Sequence, residues 1–469
     1  MPHEPAYPIA DFIADIGDIE HSVDAMTIRR KSRDRYAVSP MLRKSLEGKY
    51  ADVVVSPADK EEVIKVVAAA VKHRVPITAR GGGTANYGQS VPLRGGILLD
   101  MTRMAGIVWT RPGAIRALAG TITADMNAAA RKIGWELRMH PTTNATATIA
   151  GFVAGGTGGI GSVTWGVLRD RGNITGIEVL TAEDTPRIVE LRGKDTALIH
   201  HAYGANSIIL EVEMPLTPAV EWRETIVAFP TYMQAVRCGV SLGQTVGIVK
   251  NLLSVHEWPT PKLMPAIRGL VPDGHSMMSS YVARSSCEDF DEVVADFGGI
   301  IVSACAEGQG VYKIPLYEMA FGHALAQIQR TDNRYTAIEG FFHDDDIAGL
   351  VERVHDKLNG AGPMRLELRR WGAKLAGSGS PYVIFESEEQ LARIADIMKA
   401  EGAGVANSHA SNVRSVGKKD ITEEDLAFKR ASDPYNLLNP GRFELDSSAD
   451  AGGGFDLAID NWFVRRTAV

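Results

Sequence analysis

Two glycine clusters mark places where backbone could meet a ligand. Residues 81–88 read Gly-Gly-Gly-Thr-Ala-Asn-Tyr-Gly, directly after a short apolar stretch that reads as a strand. Three successive glycines let main chain approach a ligand closely and turn its N–H groups toward an anion. Thr84 and Asn86 could add side-chain hydrogen bonds to a phosphate, although glycine-rich turns between strands have the same composition. The second cluster runs from Gly151 through Gly155 to Gly161 and contains a literal G-x-G-x-x-G at Gly156, Gly158 and Gly161. A dinucleotide fingerprint needs a hydrophobic strand before it, a helix after it and an acidic residue ~20 positions on. Here threonine-rich residues precede and Ser-Val-Thr-Trp-Gly follows, so a nicotinamide-dependent dehydrogenase is the lesser alternative, beside a non-catalytic nucleotide- or sugar-binding module. Two such loops in one half of the chain suggest one long phosphate-bearing ligand, consistent with the pyrophosphate and ribityl chain of FAD.

Histidines and arginines supply the other candidate chemistry. A histidine suits removal of a hydroxyl proton because it titrates near neutrality. Of the 12 histidines, His140 precedes Pro141 in the threonine-rich stretch, and His200-His201 and His343 lie beside potential metal ligands. The acidic run after His343 reads better as the start of a helix, where carboxylates suit the dipole, and the spacings do not suit a metal site. Arg365, Arg369 and Arg370 could anchor a carboxylate by bidentate pairing. Strand alternation puts Arg365 and Arg369 on one face and Arg370 on the other, and an exposed strand edge is the plainer reading.

These residues need a large scaffold, and the composition provides one. The chain has 469 residues, 45% hydrophobic and 23% charged, with a net charge of −7. At ~150 residues per domain that predicts two or three domains, and the negative balance argues against a nucleic-acid partner. Three cysteines are too few for a disulfide framework. No basic n-region opens the chain and no run of 18 apolar residues occurs, so we expect no signal peptide, no membrane span and a cytoplasmic location. A basic run at Arg29–Arg35 predicts a solvated arm over residues 1–49. Then follow strands at 51–56 and 77–79 flanking a helix capped by Asp59 and ended by Pro76, strands at 97–100 and 115–119, and a helix from Thr123 to Gly134. Three more strands read within 174–214. Beyond Val220, strands (225–229, 277–283, 299–306, 335–342, 364–371, 382–387) alternate with amphipathic helices such as 346–358 and 388–400. That rhythm predicts an α+β domain with an antiparallel sheet.

An ordered series of motifs goes further. It comprises Ser56-Pro57, Val75-Pro76-Ile77 leading into Arg80–Thr84, Gly96–Asp100, His140–Thr143, Thr148–Gly151, Gly155–Gly161, Trp165-Gly166, Arg169-Asp170, Gly176–Leu180, Tyr203-Gly204 and Ile208-Ile209. Asp433–Arg442 (Asp-Pro-Tyr-Asn-Leu-Leu-Asn-Pro-Gly-Arg) closes it. The series resembles the FAD-binding oxidoreductases of the vanillyl-alcohol oxidase and p-cresol methylhydroxylase superfamily, with the glycolate-oxidase and D-lactate-dehydrogenase-like members the nearest.

The resemblance implies an α+β protein. It would have a two-lobed PCMH-type FAD-binding domain (50–219), an α+β cap with an antiparallel sheet (220–421) and a segment returning to the FAD domain (422–446). Past the end of that resemblance, the apolar set Phe455, Leu457, Ile459, Trp462, Phe463 and Val464 predicts that the tail (447–469) docks on its own subunit or on a partner in a homodimer. The resemblance also implies that Gly81, Gly82, Gly83, Thr84, Asn86 and Tyr87 cradle the FAD pyrophosphate. Pro141, Thr142, Thr143, Thr148, Gly151 and Phe152 would line the flavin, with Gly155, Gly158 and Gly161 nearby. Ile208 would serve the adenosine side, and Asn439 and Arg442 would approach the flavin. The implied reaction is oxidation of a CH–OH group, in a hydroxy acid or other small alcohol, or in an aromatic alcohol or phenol. Hydride would pass to flavin N5, and oxygen or another acceptor would reoxidise the flavin. His409 and His323 are the implied bases, His409 favoured. Where some relatives attach the flavin through histidine this chain has Thr84, so attachment there is not expected. The metal-binding histidine motif of other relatives is broken after Gly322-His323-Ala324, so no metal is expected.

Overall fold

The computed structural model describes residues 7–443. The apolar tail at 447–469 and the end of the returning segment lie outside them. The chain forms two compact units. Among the described residues, the first comprises 7–157, Arg171–Pro218 and 409–443; the second comprises Gly158–Asp170 and Ala219–Ser408. The boundaries differ from the expected ones. Residues 158–170 fold with the second unit, and the chain re-enters the first at His409 rather than after 421.

The first unit holds two sheets. Val53–Val55, Ile97–Asp100 and Ile77–Arg80 run parallel with Ile97–Asp100 central, and His21–Ser22 adds antiparallel to Val53–Val55. Strands buried on both faces read as continuous apolar runs, which is why this sheet was legible. The helix Lys60–His73 starts at Asp59, whose carboxylate accepts from Glu62 N, and Glu62 reciprocates toward Ala58 N at 2.7 Å. It buries Val63, Val66, Val67, Ala70 and Val71, then ends at Arg74 in the left-handed conformation, two residues before the expected proline stop. The second sheet orders Ile107–Arg111, Ala114–Leu118, Ile208–Pro218, Gly176–Leu180 and Ile188–Arg192, with Trp135–Leu137 also pairing Ile208–Pro218.

The predicted solvated arm is folded instead. Helices Ile9–Ile16, Ala25–Lys31 and Pro40–Leu46 bury Phe12, Ile16, Leu42 and Leu46. Arg29, Arg30 and Lys31 occupy the last turn of their helix, where cations suit the dipole, and Lys31 reaches Asp100 at 2.5 Å. The chain end returns alongside the parallel sheet: Ile77 N donates to Leu437 O at 2.8 Å and Asn439 N to Ile77 O at 2.7 Å.

The second unit is built on a nine-stranded antiparallel sheet. Its order is Ile300–Ala306, Trp222–Phe229, Ser276–Ala283, Lys250–His256, Met364–Trp371, Lys374–Ile384, Glu339–Phe342 and Gly404–Ala406, with Tyr335–Ala337 also on Lys374–Ile384. The strand Lys250–His256 was not anticipated, 382–387 extends back to Lys374 and stops at Ile384, and 335–342 breaks at Ile338. One face is apolar: the helix Tyr232–Gln244 sets Gly239 against Leu368, Val255 and Met278. Alternation turns Ser254, His256, Arg365, Glu367 and Arg369 to the other face. The strand carrying the arginines is therefore interior, not the edge expected.

A glycine-walled cleft in the first unit

The turn after Ile77–Arg80 and the helix Ile149–Gly155 both line an open cleft. Thr148 caps that helix, its hydroxyl accepting from Gly151 N at 3.2 Å. Of the expected cofactor residues, Gly81, Gly82, Gly83, Thr84, Thr148, Gly151, Gly155 and Ile208 line the cleft together. At Gly82 the backbone has no room for a side chain: a Cβ there would stand 2.0 Å from the Thr146 carbonyl oxygen. The glycine turn therefore packs directly against the main chain of the threonine-rich stretch at Thr146.

Sequence reasoning missed several wall residues, among them Arg80, Gln89, Ser90 and Tyr203. Arg80 donates through Nη1 to Arg33 O at 2.5 Å, and burial holds its pKa below the ordinary guanidinium value. It brings a positive charge to the wall. The folded arm grips this loop: Arg35 N donates to Ala85 O at 2.7 Å, and Tyr36 packs among Leu42, Leu46 and Val91. Asp34 accepts from Tyr36 N at 2.9 Å and, more weakly, from Ser90 N at 3.5 Å, while burial pushes its carboxyl up to about 6. His201, Tyr203 and Gly204 take positive φ, and the Tyr203 hydroxyl lies 3.1 Å from His201 Nε2. Tyr203 and Gly204 were visible as a motif but not as a wall.

The other expected residues lie elsewhere. Thr143 Oγ1 reaches Thr84 Oγ1 at 3.3 Å, so that pair does come together. Pro141 accepts from the ring of His140, which burial drives down to about 4 and keeps neutral. Neither Pro141 nor Thr142 lines the cleft, and Phe152 is core. Tyr87 accepts from Lys418 Nζ at 2.8 Å, outside the cleft lining. Asn439 and Arg442 are fully buried anchors: Asn439 Nδ2 donates to Gln89 O and Tyr203 O, both at 2.8 Å, and Arg442 bonds the carbonyls of Gly88, Val91 and Ser411. They hold the loop from behind. Gly158 and Gly161 belong to the second unit, where Gly161 N donates to Asn251 O at 2.9 Å.

The two candidate bases fall in different units. His409 is buried in the first unit with Nδ1 2.8 Å from Ser39 Oγ. His323 is buried on the helix Phe321–Gln329 of the second. No group of three or more histidine, cysteine or acidic side chains fit to hold a metal occurs among the described residues.

Whether FAD suits the cleft can be judged from groups left without partners. Ser90 Oγ, on the wall, and Asn86 Oδ1, in the same loop, are buried with no hydrogen-bond partner. Buried polar groups are normally paired, so these two fit a polar ligand lying along Gly81–Ser90. The apolar stretch at Ile208–Ile209 and Met101 suits a flat ring beyond it.

Comparison with known proteins agrees. Residues 51–190 match the FAD binding domain family. The chain is 25% identical over 423 residues to glycolate oxidase subunit GlcD of Bacillus subtilis (strain 168), covering 83% of this chain and 88% of that one. It is 27% identical over 203 residues to D-lactate dehydrogenase of Archaeoglobus fulgidus, covering 41% and 45%. Two solved structures share the fold. Alkyldihydroxyacetonephosphate synthase matches with a TM-score of 0.71 at 15% identity, over 94% of this chain and 87% of that one. 4-Ethylphenol oxidase from Gulosibacter chungangensis matches with a TM-score of 0.65 at 17% identity, over 92% and 96%. The chain carries an FAD-binding domain and is an FAD-linked oxidoreductase. No helix among the described residues is long and apolar enough to cross a membrane.

Proposed function

We propose that this enzyme oxidises the CH–OH group of a small 2-hydroxy acid. The cleft walled by Gly81–Thr84, Ser90 and Thr148 carries the reading, with similarity to a glycolate oxidase subunit and a D-lactate dehydrogenase supporting the substrate class. Bound there, FAD supplies a two-electron acceptor, reoxidised by oxygen or another oxidant. Backbone N–H groups of Gly81–Thr84, the Ser90 hydroxyl and the charge of Arg80 would hold the pyrophosphate, and Ile208 and Ile209 would flank the adenosine. Attachment is non-covalent at Thr84.

His409 is the proposed base. Ser39 Oγ lies 2.8 Å from Nδ1 and would orient the ring, with Nε2 proposed to take the hydroxyl proton. The second unit is the proposed cap, and substrate choice resides in its polar sheet face. Three free cysteines, Cys238, Cys287 and Cys305, support a reducing, cytoplasmic setting. The test is an anaerobic screen of 2-hydroxy acids and neutral alcohols, scored by bleaching of the yellow flavin band. Bleaching by hydroxy acids is expected. A colourless protein with no affinity for FAD would overturn the cofactor assignment, and bleaching by neutral alcohols alone would overturn the substrate class.

A further inference from the structure

The polar face of the second unit's sheet carries two arginines in very different states. Arg365 is spent: Nη1 pairs Glu367, and Nη2 donates to Ser380 Oγ at 3.1 Å. Glu367 is saturated in turn by Phe321 N at 2.8 Å and Ser254 Oγ at 3.2 Å. Two residues on, Arg369 is 94% buried, and its Nε and Nη2 have no hydrogen-bond partner. Among the described residues no carboxylate forms an ion pair with it. Asp170 accepts instead from Val167 N at 3.1 Å and Gly372 N at 3.3 Å. What holds Arg369 is aromatic. Its Cζ lies 5.2 Å from the Phe341 ring and 5.8 Å from the Trp371 ring, contacts that steady a cation without using its N–H groups.

The unused donors are not an arbitrary pair. Nε–H and Nη2–H lie side by side on one edge of the guanidinium and point the same way, the fork that takes both oxygens of a carboxylate. Leaving a charged donor pair buried without hydrogen bonds is costly, and Glu339, Glu367 and Asp170 favour the cation only through space. Gly158, itself half-buried, packs on Nη1, where a Cβ would stand 3.0 Å away.

We infer that Arg369 is the carboxylate-binding residue of this enzyme, taking the acid group of the substrate through its Nε–Nη2 edge. The inference deepens the hydroxy-acid reading and rests on it for the identity of the acid. It also separates three arginines that sequence treats alike, because Arg370 points to the other face and bonds the Ala373 and Gly243 carbonyls.

The test is calorimetric titration of FAD-loaded protein with oxalate, a dicarboxylate with no CH–OH to oxidise, and separately with inorganic phosphate. Wild type should bind oxalate, Arg369→Lys about 10-fold more weakly because the fork is lost, and Arg369→Met about 100-fold more weakly. FAD content and thermal midpoint should be retained in the lysine variant. KM for D-lactate should rise in step with the oxalate constants. Oxalate affinity unchanged in Arg369→Met overturns the inference, as does phosphate binding in the absence of oxalate binding. Hydroxy acids that bleach the flavin with unchanged KM in both variants overturn it while leaving the hydroxy-acid reading intact. Arg369-dependent oxalate binding in a protein bleached only by neutral alcohols upholds the carboxylate site and overturns that reading.

Discussion

Replacing Gly82 by alanine tests the cleft most directly, because the structure fixes what the added methyl would meet. The new Cβ would lie 2.0 Å from Thr146 O and 3.0 Å from Thr146 C, where real Cβ contacts keep at least about 3.0 Å. The carbonyl cannot easily retreat, since Thr146 N and Ala147 N both donate to Thr143 O at 2.8 Å and pin that turn. The glycine loop must therefore move by about 1 Å. A hydrogen bond stretched from about 2.9 to about 3.9 Å is no longer one. Losing two charge-assisted bonds to phosphate, at about 1.5–3 kcal/mol each, removes about 3–6 kcal/mol, or about 10²–10⁴ in Kd. Fluorescence titration of apo-protein with FAD measures this, with Gly155→Ala as the companion. There the Cβ meets only Gln89 Nε2, at an ordinary 3.8 Å, so the fold should be untouched and Kd should change by less than about 10-fold. Wild-type FAD affinity in Gly82→Ala would show that the loop does not hold the cofactor.

Other outcomes follow from the same geometry. Acid precipitation should release the yellow colour into the supernatant, whereas a yellow pellet would mean covalent attachment. His409→Asn should slow flavin reduction in stopped-flow by about 10²-fold or more without loss of FAD. Ser39→Ala, which removes the contact to Nδ1, should slow it less and shift the pH profile; wild-type rates in both would remove His409 as the base. Tyr36→Ala should cost about 3–5 kcal/mol of stability and weaken FAD retention, because Tyr36 packs the arm against the loop; unchanged FAD retention would detach the arm from the cofactor site. Asp34, pushed up to about 6 by burial, keeps its proton in the folded chain after the unfolded chain has lost it. Its contribution to stability therefore falls as pH rises from about 4 through about 6, and Asp34→Asn should abolish that limb in denaturant titrations across the range.

Legibility tracked how local the physical requirement was. The helix Glu388–Ala400 and the strands Ile97–Asp100 and Met364–Trp371 match their expected bounds because their patterns are complete within the segment. Lys250–His256 escaped because its polar residues are buried: Lys250 donates to the carbonyls of Thr245 and Ile248, and Ser254 and His256 bond each other on the inner polar face. Alternation rules assume that polar side chains face water, and that sheet reverses the assumption. The arm was misread for a related reason. Its basic side chains look solvated, but the carbonyl of Arg33 and the amide of Arg35 grip the loop, and a backbone group leaves no trace in side-chain composition.

The candidate site divides along the same line. Glycines clustered where the chain passes close to its neighbours are visible in sequence, so Gly81–Gly83, Gly151 and Gly155, which line the cleft, were found. The G-x-G-x-x-G, however, straddles a unit boundary, and its last two glycines serve the second unit. Spacing alone cannot reveal where one unit ends. Asn439 and Arg442 show the converse. They were read as flavin contacts because their motif is distinctive, yet their donors reach the carbonyls of Gly88, Gln89, Val91, Tyr203 and Ser411. Four of those five carbonyls belong to the cleft's own loops, at 88–91 and 203. A buried guanidinium and amide spent on main-chain carbonyls fix loop geometry as firmly as a strand pairing would. The C-terminal motif therefore shapes the cleft, its distinctive residues supporting the wall from behind.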